Sequence, residues 1–523
     1  MKKNIKLVIS IIIIIICIVG IIFIFNNENK RINVENITLL NENSSKIVNN
    51  NNIYLNNLEV VIIVLLIFII LFIVGYLIYT YIIKSMEKKY IFISILGIIF
   101  ISSITSYLTI KYINNKLSKS IISTDYEITP KSDTILSKNI SLNYKKYTTY
   151  DNNKNAIMIN NNSIVELKNS TINKLGDTTD KVLSKVYGIN SGILVLKDSM
   201  LYLYNTTINT NGLGASGIYS TLSNSSVNMD MVNIDTSGNN SFGISSSIGG
   251  SINGTNIKVK TSSSYSPVVM NNKGTIKLSS CILESNGKYS PIIDTNNRIV
   301  LSNCEGDSNN SSIGYIKDNS YLEINSSKFK VTGNKASNNS KEGGFIIEDS
   351  SKSINKNSVI TINDSDIEIK KQSKIFDSVP VFNIDSLNTT INLTNNKFTY
   401  GSDIFLNINN NKKDIIKVVL NSNNQDIEGN ITVDTDVNLE INLNKSTYNG
   451  SINSENRAKK IVLNISKDSE VILNNDIYVS VINNMLDDYS NIISNGYNIY
   501  YKKKLNSKTG DIEFKDGGKL INY

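Results

Sequence analysis

Leu201-Tyr202-Leu203-Tyr204-Asn205-Thr206-Thr207-Ile208 is one copy of a phrase that recurs through most of the chain. Two other clear copies are Leu322-Glu323-Ile324-Asn325-Ser326-Ser327-Lys328-Phe329 and Ile360-Thr361-Ile362-Asn363-Asp364-Ser365-Asp366-Ile367. The first and third positions are apolar and the second is usually polar. That period of two belongs to a strand with one buried face. Copies begin at 140, 165, 201, 227, 252, 276, 299, 322, 360, 391, 418, 441 and 463, with central steps of 26 to 23 residues. A period near 24 is the length of one coil of a stacked β-solenoid. The spacing therefore predicts an all-β, right-handed parallel β-helix of about 13 coils. At about 4.8 Å per coil the rod is roughly 60 Å long.

Stacked in register, the third positions form one inward ladder. It runs Leu142, Leu167, Leu203, Met229, Gly254, Leu278, Leu301, Ile324, Ile362, Leu393, Leu420, Leu443 and Ile465, with Gly254 as its gap. A second block at the same period, such as Phe242-Gly243-Ile244-Ser245 and Pro291-Ile292-Ile293-Asp294, supplies another strand of each coil. Asn211-Gly212, Ser237-Gly238 and Asn286-Gly287 lie between them, where tight corners call for positive φ. At the sixth position Cys281 and Cys304 fall on adjacent coils. They read as a stacked pair of small buried hydrophobes, with a structural disulfide the alternative at that separation.

The first 113 residues are of another kind. Residues 7–25, 60–83 and 90–110 carry no charged side chain, and each is long enough to cross a bilayer as a helix. The first is read as an uncleaved anchor because Asn26-Asn27-Glu28-Asn29 follows it in place of a small-residue cleavage site. Lys2, Lys3 and Lys6 precede the first span, and Lys84, Lys88 and Lys89 separate the second from the third. The positive-inside rule then sets the N-terminus in the cytoplasm and everything after the third span outside. The expected organisation is a three-helix membrane anchor over 1–113, a stalk and cap over 114–138, a β-helix over 139–480 and a C-terminal cap over 481–523. Within that last part, 483–489 reads as a helical turn and 492–501 as a strand.

Composition bounds the chemistry. The net charge is +8, but the lysines are scattered singly, which excludes a nucleic-acid platform and allows weak attraction to anionic wall polymers. The chain has no histidine. No zinc-ligand cluster or nucleotide-binding glycine loop occurs, so no cofactor or metal is expected. Tyr202, Tyr204 and Tyr219 read as ordinary outward strand residues, with stacking of sugar rings on their flat faces the alternative. Polar insertions lengthen the steps at 165–201, 322–360 and 360–391 and are expected as surface loops.

Ser191-Gly192-Ile193, the turn and strand from Gly212 to Ile218, Ser290-Pro291-Ile292-Ile293, Ser494-Asn495-Gly496-Tyr497 and Gly517-Gly518-Lys519-Leu520 carry a resemblance. On them, residues 139–523 resemble the right-handed parallel β-helix, pectin-lyase-like, superfamily, and within it adhesin-like surface proteins of low-GC Gram-positive bacteria. The resemblance implies a cell-surface protein that contacts glycan or cell-wall polymer without catalysis. Two alternatives remain: a structural component of the envelope, and a membrane-held polysaccharide lyase or hydrolase. For the last, the candidate residues are Asp294 and Asp318, at near-equivalent positions one coil apart, with Arg298 nearby in sequence.

Overall fold

The structure is a computed structural model. It describes residues 129–523 except 333–336, 339–340, 351–355, 370–378, 413 and 506–511. The three apolar segments at 7–25, 60–83 and 90–110 lie outside the described residues. Among the described residues no helix is long and apolar enough to cross a membrane.

Residues Lys131–Tyr523 form one unit, a parallel β-solenoid of about 14 turns. One coil shows the plan. Ile218–Thr221 lies on a face called A here, Ser226–Asp230 on face B and Asn233–Thr236 on face C. The chain then begins again on face A with Ile244–Ser247, paired parallel and residue for residue with Ile218–Thr221. Face A stacks twelve strands and face C ten. A further sheet of four strands, starting at Asp426–Glu428, takes the place of face C in the last coils. Face B runs without a break from Ile140–Asn143 through Ile477–Asn484 and Ile499–Leu505 to Lys519–Asn522. The stacking thus continues past residue 480, and 483–489 is the end of a strand followed by a turn, not a helical turn.

The repeated phrase is the B strand, a corner and the start of the C strand. Its first, third and eighth residues point inward: Leu201, Leu203 and Ile208 are all buried. Its fifth residue turns the corner with positive φ, as at Asn169 (47°), Asn205 (44°), Asn303 (53°) and Asn395 (53°). Asparagine tolerates this left-handed conformation better than other residues with a Cβ. That requirement, repeated in coil after coil, gives the chain's asparagine a structural use. Outward asparagines also join the coils. Asn421 donates to Asn392, Asn442 to Asn421 and Asn464 to Asn442, at 2.8, 2.8 and 2.6 Å.

Three expectations need correction. The in-register partner of Leu393 is Ser422, not Leu420, which pairs with Ile391. Apolar alternation through Ile416, Val418 and Leu420 leaves the phrase free to slide by two residues, and only stacking shows that Ser422 holds the next inward place. Gly254 does lie in the ladder, between Met229 and Leu278. A Cβ there would stand 3.0 Å from Leu278 and 3.1 Å from Ile257, so its neighbours already fill the space. Finally, Gly212, Gly238 and Gly287 do not have positive φ. They are glycines because a Cβ would fall on a backbone oxygen of the preceding coil, that of Gly176, Gly212 and Ser263 respectively.

The first long insertion is no free loop. Lys181–Tyr187 forms a short helix, N-capped by Asp180, whose side chain accepts from Leu183 N at 2.8 Å. It covers an apolar column on the outside of face A, where Met158, Leu194, Tyr219 and Met270 gather with Phe242. Tyr219, expected as an exposed outward residue, is fully buried there and donates to Lys185 O at 2.5 Å. Tyr202 and Tyr204 are exposed, 43% each.

Candidate functional site

Face C breaks between Lys397–Tyr400, the last of its ten strands, and Asp426–Glu428, the first of the following four. The neighbouring A strand, Ile404–Asn409, shifts register between Ile404 and Leu406 at the same level. Such irregularities commonly mark the place where a regular sheet serves a site. The seam opens a cleft of about 430 Å³ along the corner between the two faces, within the range of small-ligand sites.

The cleft is built from four successive coils. Phe398, Tyr400 and Asp403 come from the first, Glu428 and Gly429 from the second, Asn449 from the third and Asn474 from the fourth. Its aromatic side rests on the core: Phe398 and Tyr400 lie 5.3 and 6.1 Å, ring to ring, from Phe405, which packs on Phe382 at 5.5 Å. Asn430 N donates to Asp403 O at 2.7 Å and thereby ties the two acidic segments together. Gly429 has φ +114°, a conformation that a side chain rarely adopts. Asn474 is set by its donation to Asn430 Oδ1 at 3.0 Å.

Two features define the chemistry of the cleft. Asp403 and Glu428 have no ion-pair partner among the described residues, and no lysine or arginine lines the cleft. The Tyr400 hydroxyl is buried without a hydrogen-bond partner. Burial, with Glu428 nearby, pushes its pKa well up, so it stays a neutral donor.

A second polar cluster lies on the outside of face A. Asp294 pairs with Lys317, Glu348 with Lys341 and the Tyr315 hydroxyl, and Lys341 reaches Asp385 at 2.6 Å. Burial, then the carboxylates of Asp385, Asp294 and Asp349, raise the Glu348 pKa to about 7. Burial would also raise Asp385, but hydrogen bonds from Lys341 and Ser386 outweigh it and hold that carboxyl below its ordinary range. Lys341 follows the hairpin strand Ser337–Asn338, so its ion pair with Asp385 fastens the second insertion to the face.

The residues considered for a lyase do not come together. Asp294 stands in register with Tyr315, whereas Asp318 lies in the turn beyond that strand, with φ 59°. Asp318 is held by Lys356 at 3.0 Å and by Ser350, whose N and Oγ donate at 3.0 and 2.7 Å. Arg298 is on face B, 3.6 Å from Glu323 and 4.2 Å from the centre of the Tyr321 ring. Cys281 and Cys304 are adjacent in the stack, Cα atoms 4.5 Å apart, and joined by a disulfide. Among the described residues no group of three or more Asp, Glu, Cys or His side chains could hold a metal ion.

The cleft is invisible to a reading by repeats because its residues lie off the phrase. The one trace is a pair of polar-glycine triplets one coil apart, Gly401-Ser402-Asp403 and Glu428-Gly429-Asn430. Comparisons with family models, with curated proteins and with solved structures return no match.

Proposed function

We propose that the chain is a membrane-anchored surface protein whose rod, a right-handed parallel β-helix of the pectin-lyase-like kind, stands outside the cell and binds glycan in an adhesin-like, non-catalytic manner. The observation that carries this reading is the seam cleft. An aromatic wall, two unpaired carboxylates and two asparagine amides along one corner suit the alternating apolar faces and hydroxyls of a sugar chain. Its extension over four coils fits a linear polymer lying along the rod. Three apolar segments with lysines on the expected side support the anchor. The disulfide between Cys281 and Cys304 supports an oxidising compartment.

One observation favours the structural-envelope reading instead: many outward asparagines and ion pairs are already committed to neighbouring coils. The two readings part in a glycan-array experiment with the full chain in detergent. Binding to a defined set of oligosaccharides, weakened at least tenfold in an Asn449→Ala, Asn474→Ala variant, is the expected result. An array with no bound glycan leaves the rod as a spacer.

A further inference from the structure

The charge of the seam cleft runs against that of the chain. The protein carries a net charge of +8, yet the cleft contains two carboxylates and no cation. Along face A the acidic residues are matched: Asp294 by Lys317, Asp385 by Lys341, Asp434 by Arg457. Asp403 and Glu428, like many exposed acids of the chain, have no ion-pair partner among the described residues; what sets them apart is that they line one cleft with no lysine or arginine in its wall.

We infer that the cleft selects a glycan bearing free amino groups, with a sugar ammonium held between Asp403 and Glu428. This rests on the glycan-binding reading and narrows it to one class of sugar. The backbone bond from Asn430 N to Asp403 O sets the two acidic segments on adjacent coils at one cleft, so a cation bound there feels the negative charge of both. Asn449 and Asn474 supply amide donors and acceptors for hydroxyls of the next units. Phe398 and Tyr400 supply the apolar wall. An anionic sugar such as a uronate would meet like charge in the same place, with no lysine or arginine to offset it. An N-acetylated sugar loses the cation and keeps only the hydroxyl contacts. The specificity therefore comes from a charge pair that one partner satisfies and the other leaves open.

The test is calorimetric titration of the full chain in detergent with three oligosaccharides of equal length: a glucosamine oligomer, its N-acetylated form and a galacturonate oligomer. The expected order is glucosamine at least about tenfold tighter than the N-acetylated oligomer, with galacturonate weakest. That preference should shrink as salt rises, because counterions screen exposed charges within roughly 10 Å at 0.1 M. In an Asp403→Asn, Glu428→Gln variant the two glucosamine-based oligomers should bind equally, at the affinity of the N-acetylated form. Both substitutions are close to isosteric and lie at exposed positions, and unchanged binding of the N-acetylated oligomer reports that the cleft is intact. Equal or tighter binding of the N-acetylated oligomer by the unaltered chain overturns the amino-sugar assignment and leaves glycan binding standing. A preference that survives in the variant places the site elsewhere. Calcium that binds alone, is lost in the variant and is not displaced by glucosamine makes the cleft an inorganic cation site. If no oligosaccharide binds, the underlying glycan reading falls as well.

Discussion

Cys281 and Cys304 close a loop 23 residues apart along the chain. In the chain-entropy account a closure of that length stabilises the folded state by about 3 kcal/mol. A Cys281→Ser, Cys304→Ser variant should therefore unfold at lower denaturant, with the same loss on adding reductant to the unaltered protein. An unchanged midpoint would mean that the coils on either side already hold the corner. Glu348 makes a prediction of opposite character. Its pKa is raised to about 7 by burial and neighbouring carboxylates, so the folded state binds its proton more tightly than the unfolded chain does. The cost of ionising it is absent below about pH 4.3, the ordinary glutamate value, grows as pH rises and is complete above about 7. Because the carboxylate is partly solvated, that cost is about 1 kcal/mol. Unfolding of Glu348→Gln should be less dependent on pH across that window, and the variant should be the more stable protein at pH 8. Equal pH profiles for the two proteins would contradict the assignment.

At the scale of elements, the helix Lys181–Tyr187 acts as a clamp on face A. Tyr219 Oη and Ser247 Oγ donate to its last turn, to Lys185 O and Val186 O, at 2.5 and 2.7 Å. Gly188 ends it with φ +70°, directly against the Tyr219 ring. Tyr219→Phe should lose about 1 kcal/mol, the usual worth of one hydrogen bond. Gly188→Ala should cost more, because it adds both strain and a clash. Denaturant unfolding of the two variants tests the order, and a Gly188→Ala protein as stable as the parent would contradict it. This clamp also shows where sequence reading stops. The B and C strands were legible because inward residues alternate, as at Leu201, Leu203 and Ile208. Tyr219 alternates correctly as an outward residue, yet it is buried, because a segment far from it in the repeat folds over it. Ser422 shows the complementary failure: alternation gives the face of a residue but not its place in the stack, which depends on pairing across coils.

At the scale of the whole molecule, the repeat accounts for the rod of Lys131–Tyr523, and the break in face C among the described residues accounts for the candidate site. The break was not legible because nothing in the period announces it; the Asp403 and Glu428 segments become neighbours only when the coils are stacked. The candidates that could be picked from sequence, Asp294, Asp318 and Arg298, are conspicuous as residue types but are separately engaged in the fold. In the proposed function the three apolar segments would hold the rod at a membrane and the seam would bind the polymer. Hydrogen–deuterium exchange of the full chain in detergent, with and without a glucosamine oligomer at saturating concentration, tests that role of the seam most directly. Slowed exchange is expected in 398–403, 428–430, 449–450 and 474–475, with little change along faces A and B. Protection confined to those other faces, or none at all, would contradict it.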